Sequence, residues 1–279
     1  MAGNFTLPPM GFGPGSQPTE DEGGALDYMA MPQDMRTFTP HVPDIAASPA
    51  LAPALTLLAE IAAAADAASQ GDANRLFDLS KLDADNRALI AETMGEGEVS
   101  IRVHGVPAIA IQESVFAGVW SLRSAERDLI EVGAIPAAVR NSAFLPRAAA
   151  AGVHLATGPG VVNAPPIMIE LADKSAGYAA GDAVHCVNLT LLPHTEQDLA
   201  WLEDALGTGS VEILSRGYGN CRVTATATPH VWRVQFFNSM DTSILDTYEV
   251  TAVPEVVLAA TEDLADSAER ILEVLEAIG

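Results

Sequence analysis

Apolar residues between positions 51 and 68 recur at helical spacing, and Ser48 stands ready to cap the turn that Pro49 opens. Two shorter helices are expected at 83–94 and 195–206. Asp83 and Thr195 suit their N-caps, because a side-chain oxygen can accept from an otherwise unpaired backbone N–H. Thr195 and Asp198 also have the spacing of a capping box. Gly95 and Gly207 close the two helices, since glycine takes positive φ without a Cβ penalty. Strands are expected near 98–104 and 210–216, then at 221–228, 231–237 and 244–250, where β-branched residues concentrate. Pro254 is placed to open a last helix, in which Leu264, Ala268, Ile271, Leu272 and Leu275 are spaced for one apolar face.

The pattern occurs twice. Gly95, Gly97, Val99, Ile101 and Gly105 recur 112 positions later as Gly207, Gly209, Val211, Ile213 and Gly217. Val119-Trp120 recurs at the same offset as Val231-Trp232. Beyond it the offset is 118, so that Glu131, Val132 and Pro136 recur as Glu249, Val250 and Pro254. The second copy therefore carries six extra residues around 238–242. An α+β fold is expected: an internally duplicated helix–antiparallel sheet–helix unit in a pseudo-two-fold arrangement. The expected segments are a mostly irregular arm at 1–48, a first repeat with its preceding helix at 49–150, a looser connector at 151–186 and a second repeat at 187–279. The glycine- and proline-rich run 11–16 places the arm, and Gly158-Pro159-Gly160 with Pro165-Pro166 places the connector.

Charge narrows the function classes. Against 14 Lys and Arg stand 37 Asp and Glu, a net charge of −23 in 279 residues. This argues against nucleic acid and anionic membrane surfaces, and favours basic partners. Residues 1–15 lack the basic and apolar regions of a signal peptide. Pro53, Glu60 and Asp66 interrupt the most apolar stretch, which reads as a core helix and not as a membrane span. A cytoplasmic address is expected.

Chemistry-bearing motifs are sparse. Cys186 and Cys221 are the two cysteines, without a Cys-x-x-Cys pair, and small buried residues are their plainest reading. His185, Cys186 and His194 have poor chelating geometry, because neighbours on a strand face opposite ways. Gly95-Glu96-Gly97 and Gly207-Thr208-Gly209 lack the third glycine and the helix that a phosphate loop needs after it. Cys221 could act as a nucleophile if Arg216 and Arg222 lowered its pKa. The stretch Gln112 to Trp120 sets amide, carboxylate, hydroxyl and aromatic groups in or beside one strand, with Gln112 and Ser114 on one face and Glu113 on the other. Such a polar edge suits recognition of another polypeptide. Core packing explains the two equivalent tryptophans most simply.

Several stretches carry a family resemblance. They are 11–18, 95–101, 112–120, 130–136 and 187–193, and above all Arg216-Gly217-Tyr218-Gly219-Asn220-Cys221-Arg222 with Asn238-Ser239-Met240-Asp241-Thr242. Over nearly its whole length the chain resembles the HupH/HyaF family of hydrogenase expression/formation proteins. The resemblance implies a cytoplasmic, non-catalytic accessory protein for maturing an uptake-type [NiFe] hydrogenase. Its implied partners are the precursor of the iron–sulfur small subunit, held before twin-arginine export, and a thioredoxin-like accessory protein. It supplies no catalytic residues, and neither a cofactor nor a resident metal is expected. Candidate partner-binding residues, inferred from the motifs, are Gln112, Glu113, Ser114, Phe116, Arg216, Tyr218, Asn220, Cys221, Arg222, Asn238 and Asp241. The alternative is a metal- or iron–sulfur-handling factor that uses Cys221 and Cys186.

Overall fold

The computed structural model describes residues 48–216 and 220–278. All of the expected arm before Ser48 lies outside them, as does Tyr218. Ser48 accepts from the Ala50 N–H at 3.3 Å, and a 3₁₀ turn at Pro49–Leu51 leads into α1, Ala52–Ser69. There follow β1 (Arg75–Asp78), α2 (Ala84–Met94), β2 (Val99–Val103), β3 (Ile109–Glu113), β4 (Val119–Arg123), β5 (Asp128–Val132) and the short α3 (Ala137–Ser142). The chain continues with α4 (Ala164–Gly177), β6 (His185–Asn188), α5 (Glu196–Leu206) and β7 (Val211–Ser215). It finishes with β8 (Asn220–Ala225), β9 (Val231–Phe237), β10 (Ser243–Val250) and α6 (Thr261–Ile278).

The ten strands of the described residues form one antiparallel sheet in the order β1-β5-β4-β3-β2-β7-β8-β9-β10-β6. Read outward from the central β2–β7 pair, both directions pass through strands in the same series. In that pair Ile101 lies opposite Ile213, the residue 112 positions later, with Val99 opposite Ser215 and Val103 opposite Val211. The fold is α+β.

One face of the sheet buries Val99, Ile101, Ile111, Trp120, Ile213, Val223 and Trp232 against α3 and the segment after β10. Each tryptophan is fully buried, and each indole N–H is satisfied. Trp120 Nε1 donates to the Gly133 carbonyl at 2.8 Å and Trp232 Nε1 to that of Ala252 at 3.3 Å. On the other face α1, α2 and α6 cover the β1–β5 end, while α4 and α5 cover the β10–β6 end. By length and apolarity α1 is the one helix among the described residues that could cross a membrane. Its Leu58, Ile61 and Ala65 are fully buried in the cluster it shares with α6. Burying one such leucine contributes about 2 kcal/mol.

Helix ends follow the residues that mark them. Asp83 accepts from the Asn86 N–H, and Thr195 with Asp198 forms the complete capping box. Gly207 ends α5 at φ 65°, and a Cβ there would lie 2.6 Å from the Ala148 carbonyl, so conformation and space both require glycine. Asn86 and Asp198, buried at corresponding places in α2 and α5, reach back to the helix before. Asn86 Oδ1 accepts from the Ala54 N–H of α1 at 2.9 Å. Asp198 Oδ1 accepts from Val162, Asn163 and Ala164 at 2.7, 2.9 and 3.0 Å, where α4 starts. Burial raises the Asp198 pKa, but those backbone donors and Thr195 outweigh it and hold the carboxyl well below its usual range.

Two stretches depart from the sequence reading. The expected connector at 151–186 contains α4, because Pro165-Pro166 falls in its first turn, where the missing N–H groups would have had no helical partner anyway. Pro254 precedes only a 3₁₀ turn, Glu255–Val257, and α6 begins at Thr261. Replacing Asp198 by alanine removes three acceptor contacts at the start of α4. It should lower stability by about 1–2 kcal/mol, read as a lower urea midpoint. An unchanged midpoint would show that these bonds do not hold α4.

Candidate functional site

The helices cover the two ends of their face and leave the middle open. The result is a groove of about 560 Å³ between α2 and the central strands. Its floor is Ser100, Arg102, Ala110, Gln112, Ser121 and Leu214, and Arg123 and Arg222 also line it. Arg87, Ile90 and Met94 of α2 form one wall. Period-two alternation explains these residues: each floor position lies between neighbours that point into the core on the opposite face. Gln112 Nε2 donates to the carbonyls of Gly97, Val99 and Glu113 at 3.1, 3.2 and 3.1 Å, which fixes the ends of β2 and β3. The Arg222 guanidinium lies 5.5 Å from the Phe237 ring centre.

A second cavity, of about 450 Å³, adjoins Arg222. It gathers Arg216, Asn220, Cys221, Arg222 and Asp241, five of the residues singled out from the sequence. Asn238 builds the neighbouring turn. Its Oδ1 accepts from the Met240 and Thr242 N–H groups at 2.9 and 3.0 Å, where Asp241 sits at φ 55°.

Across the sheet, Glu113, Val99, Ser215 and Cys221 lie in one row on four adjacent strands. Glu113 and Cys221 both line a cavity of about 200 Å³ beneath residues 256–259. Glu113 is buried and accepts from the Gly118 N–H at 3.2 Å. Burial pushes its carboxyl up to about 7. Burial, and then the charge of Glu249, push the Cys221 thiol up to about 11, the reverse of the lowering expected from Arg216 and Arg222. Alternation is the reason: Arg222 points to the opposite face from Cys221. A thiol held protonated is a poor nucleophile and a poor metal ligand. Cys186 is exposed on the edge strand β6, and β9 and β10 separate it from Cys221, at least about 14 Å across the sheet. The two sulfurs are not brought together. His185 bonds Glu170 at 2.8 Å instead.

Ser114 and Phe116 belong to the β3–β4 turn and to the core. The Ser114 hydroxyl donates to the Phe116 carbonyl at 2.9 Å and accepts from its N–H at 3.1 Å. Ser114 lies past the end of β3 and so does not share a strand face with Gln112. The Phe116 ring is buried 5.4 Å beneath the Arg270 guanidinium. Sequence reading passed over Arg87, Arg102, Arg123 and Asp128 of the groove. The available signal was the alternation of Arg102 with Ile101 and Val103, and of Arg123 with Leu122.

Glu113 gives this region a pH dependence. Between the ordinary carboxyl value of 4.5 and about 7 the folded chain holds a proton that the unfolded chain has released. Its contribution is therefore complete below the ordinary value of 4.5 and is lost across this window as pH rises through about 7, by about 3 kcal/mol at most. Urea unfolding at several pH values should show wild-type stability falling relative to Glu113→Gln over this window. Parallel profiles would contradict the burial argument.

Comparison with known proteins supplies the kinship. The family model described as "HupH hydrogenase expression protein, C-terminal conserved region" matches residues 51–144 and 161–278. The chain is 60% identical to the hydrogenase expression/formation protein HupH of Rhodobacter capsulatus over 278 residues, covering 100% of each chain. It is 47% identical to the hydrogenase expression/formation protein HoxQ of Cupriavidus necator, covering 99% of each. A solved structure, the hydrogenase expression protein HupH from Thiobacillus denitrificans, is 28% identical. It aligns with 41% of this chain and 96% of its own, with a TM-score of 0.39. With the model matching most of the sequence and full-length relatives at this identity, the chain belongs to the HupH family of hydrogenase expression proteins.

Proposed function

We propose that the chain is a cytoplasmic, non-catalytic accessory protein in [NiFe] uptake hydrogenase maturation. It binds the immature iron–sulfur small subunit before twin-arginine export and works beside a thioredoxin-like accessory protein. The observation that carries this reading is full-length kinship, at 60% identity, with a hydrogenase expression/formation protein. The open central face of the sheet supports it, because a continuous ladder gives a polypeptide client a rigid floor. The protonated Cys221 thiol suits binding better than thiol chemistry.

A tagged chain recovered from cells that express the hydrogenase should bring down the small-subunit precursor with its export segment still attached. Recovery of a different protein in its place, with the precursor consistently absent, would defeat the reading. The net charge of −23 adds a kinetic expectation. Association with a basic export segment should slow as salt rises, because exposed charges are screened within ~8 Å at physiological ionic strength. A salt-independent on-rate, measured in stopped flow, would remove electrostatic steering.

A further inference from the structure

The two ends of the sheet differ in the side chains at matching positions, and two of these differences bear on the groove on the open face. In the β9–β10 pair Arg233 lies opposite Tyr248, and Asp246 opposite Gln235. At the matching register of β4–β5, Ser121 lies opposite Ile130, and Asp128 opposite Arg123. Arg233 fills its end. Its Nε and Nη2 donate to Asp246 at 2.9 and 2.7 Å, and its Nη1 reaches Glu203 of α5. The place of Glu203, 112 positions earlier, is Ala91 on α2. With Ser121 and Ala91 in these places, a guanidinium and a carboxylate are missing and the space stands open.

Glu96 and Glu212 line that space too, Glu212 lying opposite Arg102 and bonded to Arg147 at 2.8 Å, but much of the rest of the lining has unspent bonding capacity. Arg87, Arg102, Arg123 and Arg222 are exposed, and none forms a salt bridge with a described residue. They are four of the 14 cationic residues of a strongly acidic chain, gathered about one groove. Arg102 and Arg123 flank the small Ala110 on one cross-strand row, two strand spacings or about 10 Å apart. Asp128 Oδ1 is buried with no hydrogen-bond partner among the described residues, whereas its counterpart Asp246 is satisfied by Arg233 and Gln235. Leu214, an exposed apolar residue, and Met94 add apolar surface.

We propose that this groove binds a polypeptide segment that alternates carboxylate with apolar side chains. The guanidinium groups pair with its carboxylates, and a backbone N–H of the segment donates to Asp128 Oδ1. Arginine suits carboxylates because its planar fork can donate two parallel hydrogen bonds. The orphaned Asp128 acceptor favours a polypeptide over a phosphate ligand, since a polypeptide brings N–H donors and a phosphate brings more anionic oxygen. The inference deepens the proposed function by naming the chemistry of the client segment. It is tested on purified components, so its outcome does not depend on which client is captured in cells.

The probe is a short fluorescein-labelled peptide of alternating glutamate and leucine, titrated into the full chain and followed by anisotropy. Binding should saturate, and a glutamine-for-glutamate peptide should bind at least about tenfold more weakly. Arg102→Gln with Arg123→Gln should cost a similar factor or more. Ser121→Arg with Ala91→Glu rebuilds the ion-pair cluster of the other end. It should abolish peptide binding while keeping the urea midpoint; should that variant unfold, the exposed arginine pair alone decides. Equal binding of the glutamine peptide, undiminished binding by the arginine variant, or displacement of the peptide by inorganic phosphate or a short oligonucleotide at lower concentration than by unlabelled peptide would each overturn the proposal.

Discussion

The antiparallel ladder between β2 and β7 is the constraint on which the rest of the molecule depends. It joins two five-stranded series into one sheet, and it sets Ile101 against Ile213 so that both series run outward in the same order. A one-residue slip would turn Val99, Ile101 and Val103 out of the tryptophan-containing core and replace them with Ser100 and Arg102. The buried face therefore enforces the register, and the register fixes where every polar residue of the opposite face stands. Gln112, Ser100, Leu214 and Arg222 lie in one row across four strands only because the ladder is in that alignment.

Within this common frame, side chains distinguish the two ends. Arg233, Asp246 and Glu203 form a closed charge cluster at one end, where Arg233 is largely buried and lies over Tyr248. On the other side of the centre, Ser121 and Ala91 leave room for the groove beside α2. The strand order is the same outward from β2 and from β7, so whether the face is filled or hollow follows from the side chains at matching places, Arg233 against Ser121 and Glu203 against Ala91 among them. A groove can thus stand on one side of the sheet without any change in strand order, and Asp128 Oδ1 is buried there with no hydrogen-bond partner among the described residues.

Much of this was legible in the sequence, and the limits have physical causes. Helices with a polar cap and a terminal glycine, such as α2 and α5, announce their ends because those residues satisfy unpaired N–H groups or adopt positive φ. Strands β7 and β9 were recognisable from their β-branched and aromatic residues. The four-residue strand β1 was not, being too short to show a period. Helix α4 was hidden by two prolines that a first turn accommodates. Among the candidate residues, the cluster of Arg216, Asn220, Cys221, Arg222 and Asp241 came together because a strand end and a turn adjoin. Ser114 and Phe116 serve the core, since β3 ends at Glu113 and the chain then turns inward. The arginines of the groove escaped notice because they are distant in sequence and meet only through the strand order.

The pairing of α1 with α6 bears on how the protein is made. The first helix of the described chain buries Leu58, Ile61 and Ala65 in a cluster that takes Leu264, Ile271 and Val274 from the last. During synthesis α1 emerges long before α6, so the part of its apolar face that α6 covers stays bare until that eighteen-residue helix has left the ribosome. Completion of this cover therefore waits for Thr261–Ile278. A nascent chain stalled before Thr261 would display the sticky surface that chaperones and proteases recognise.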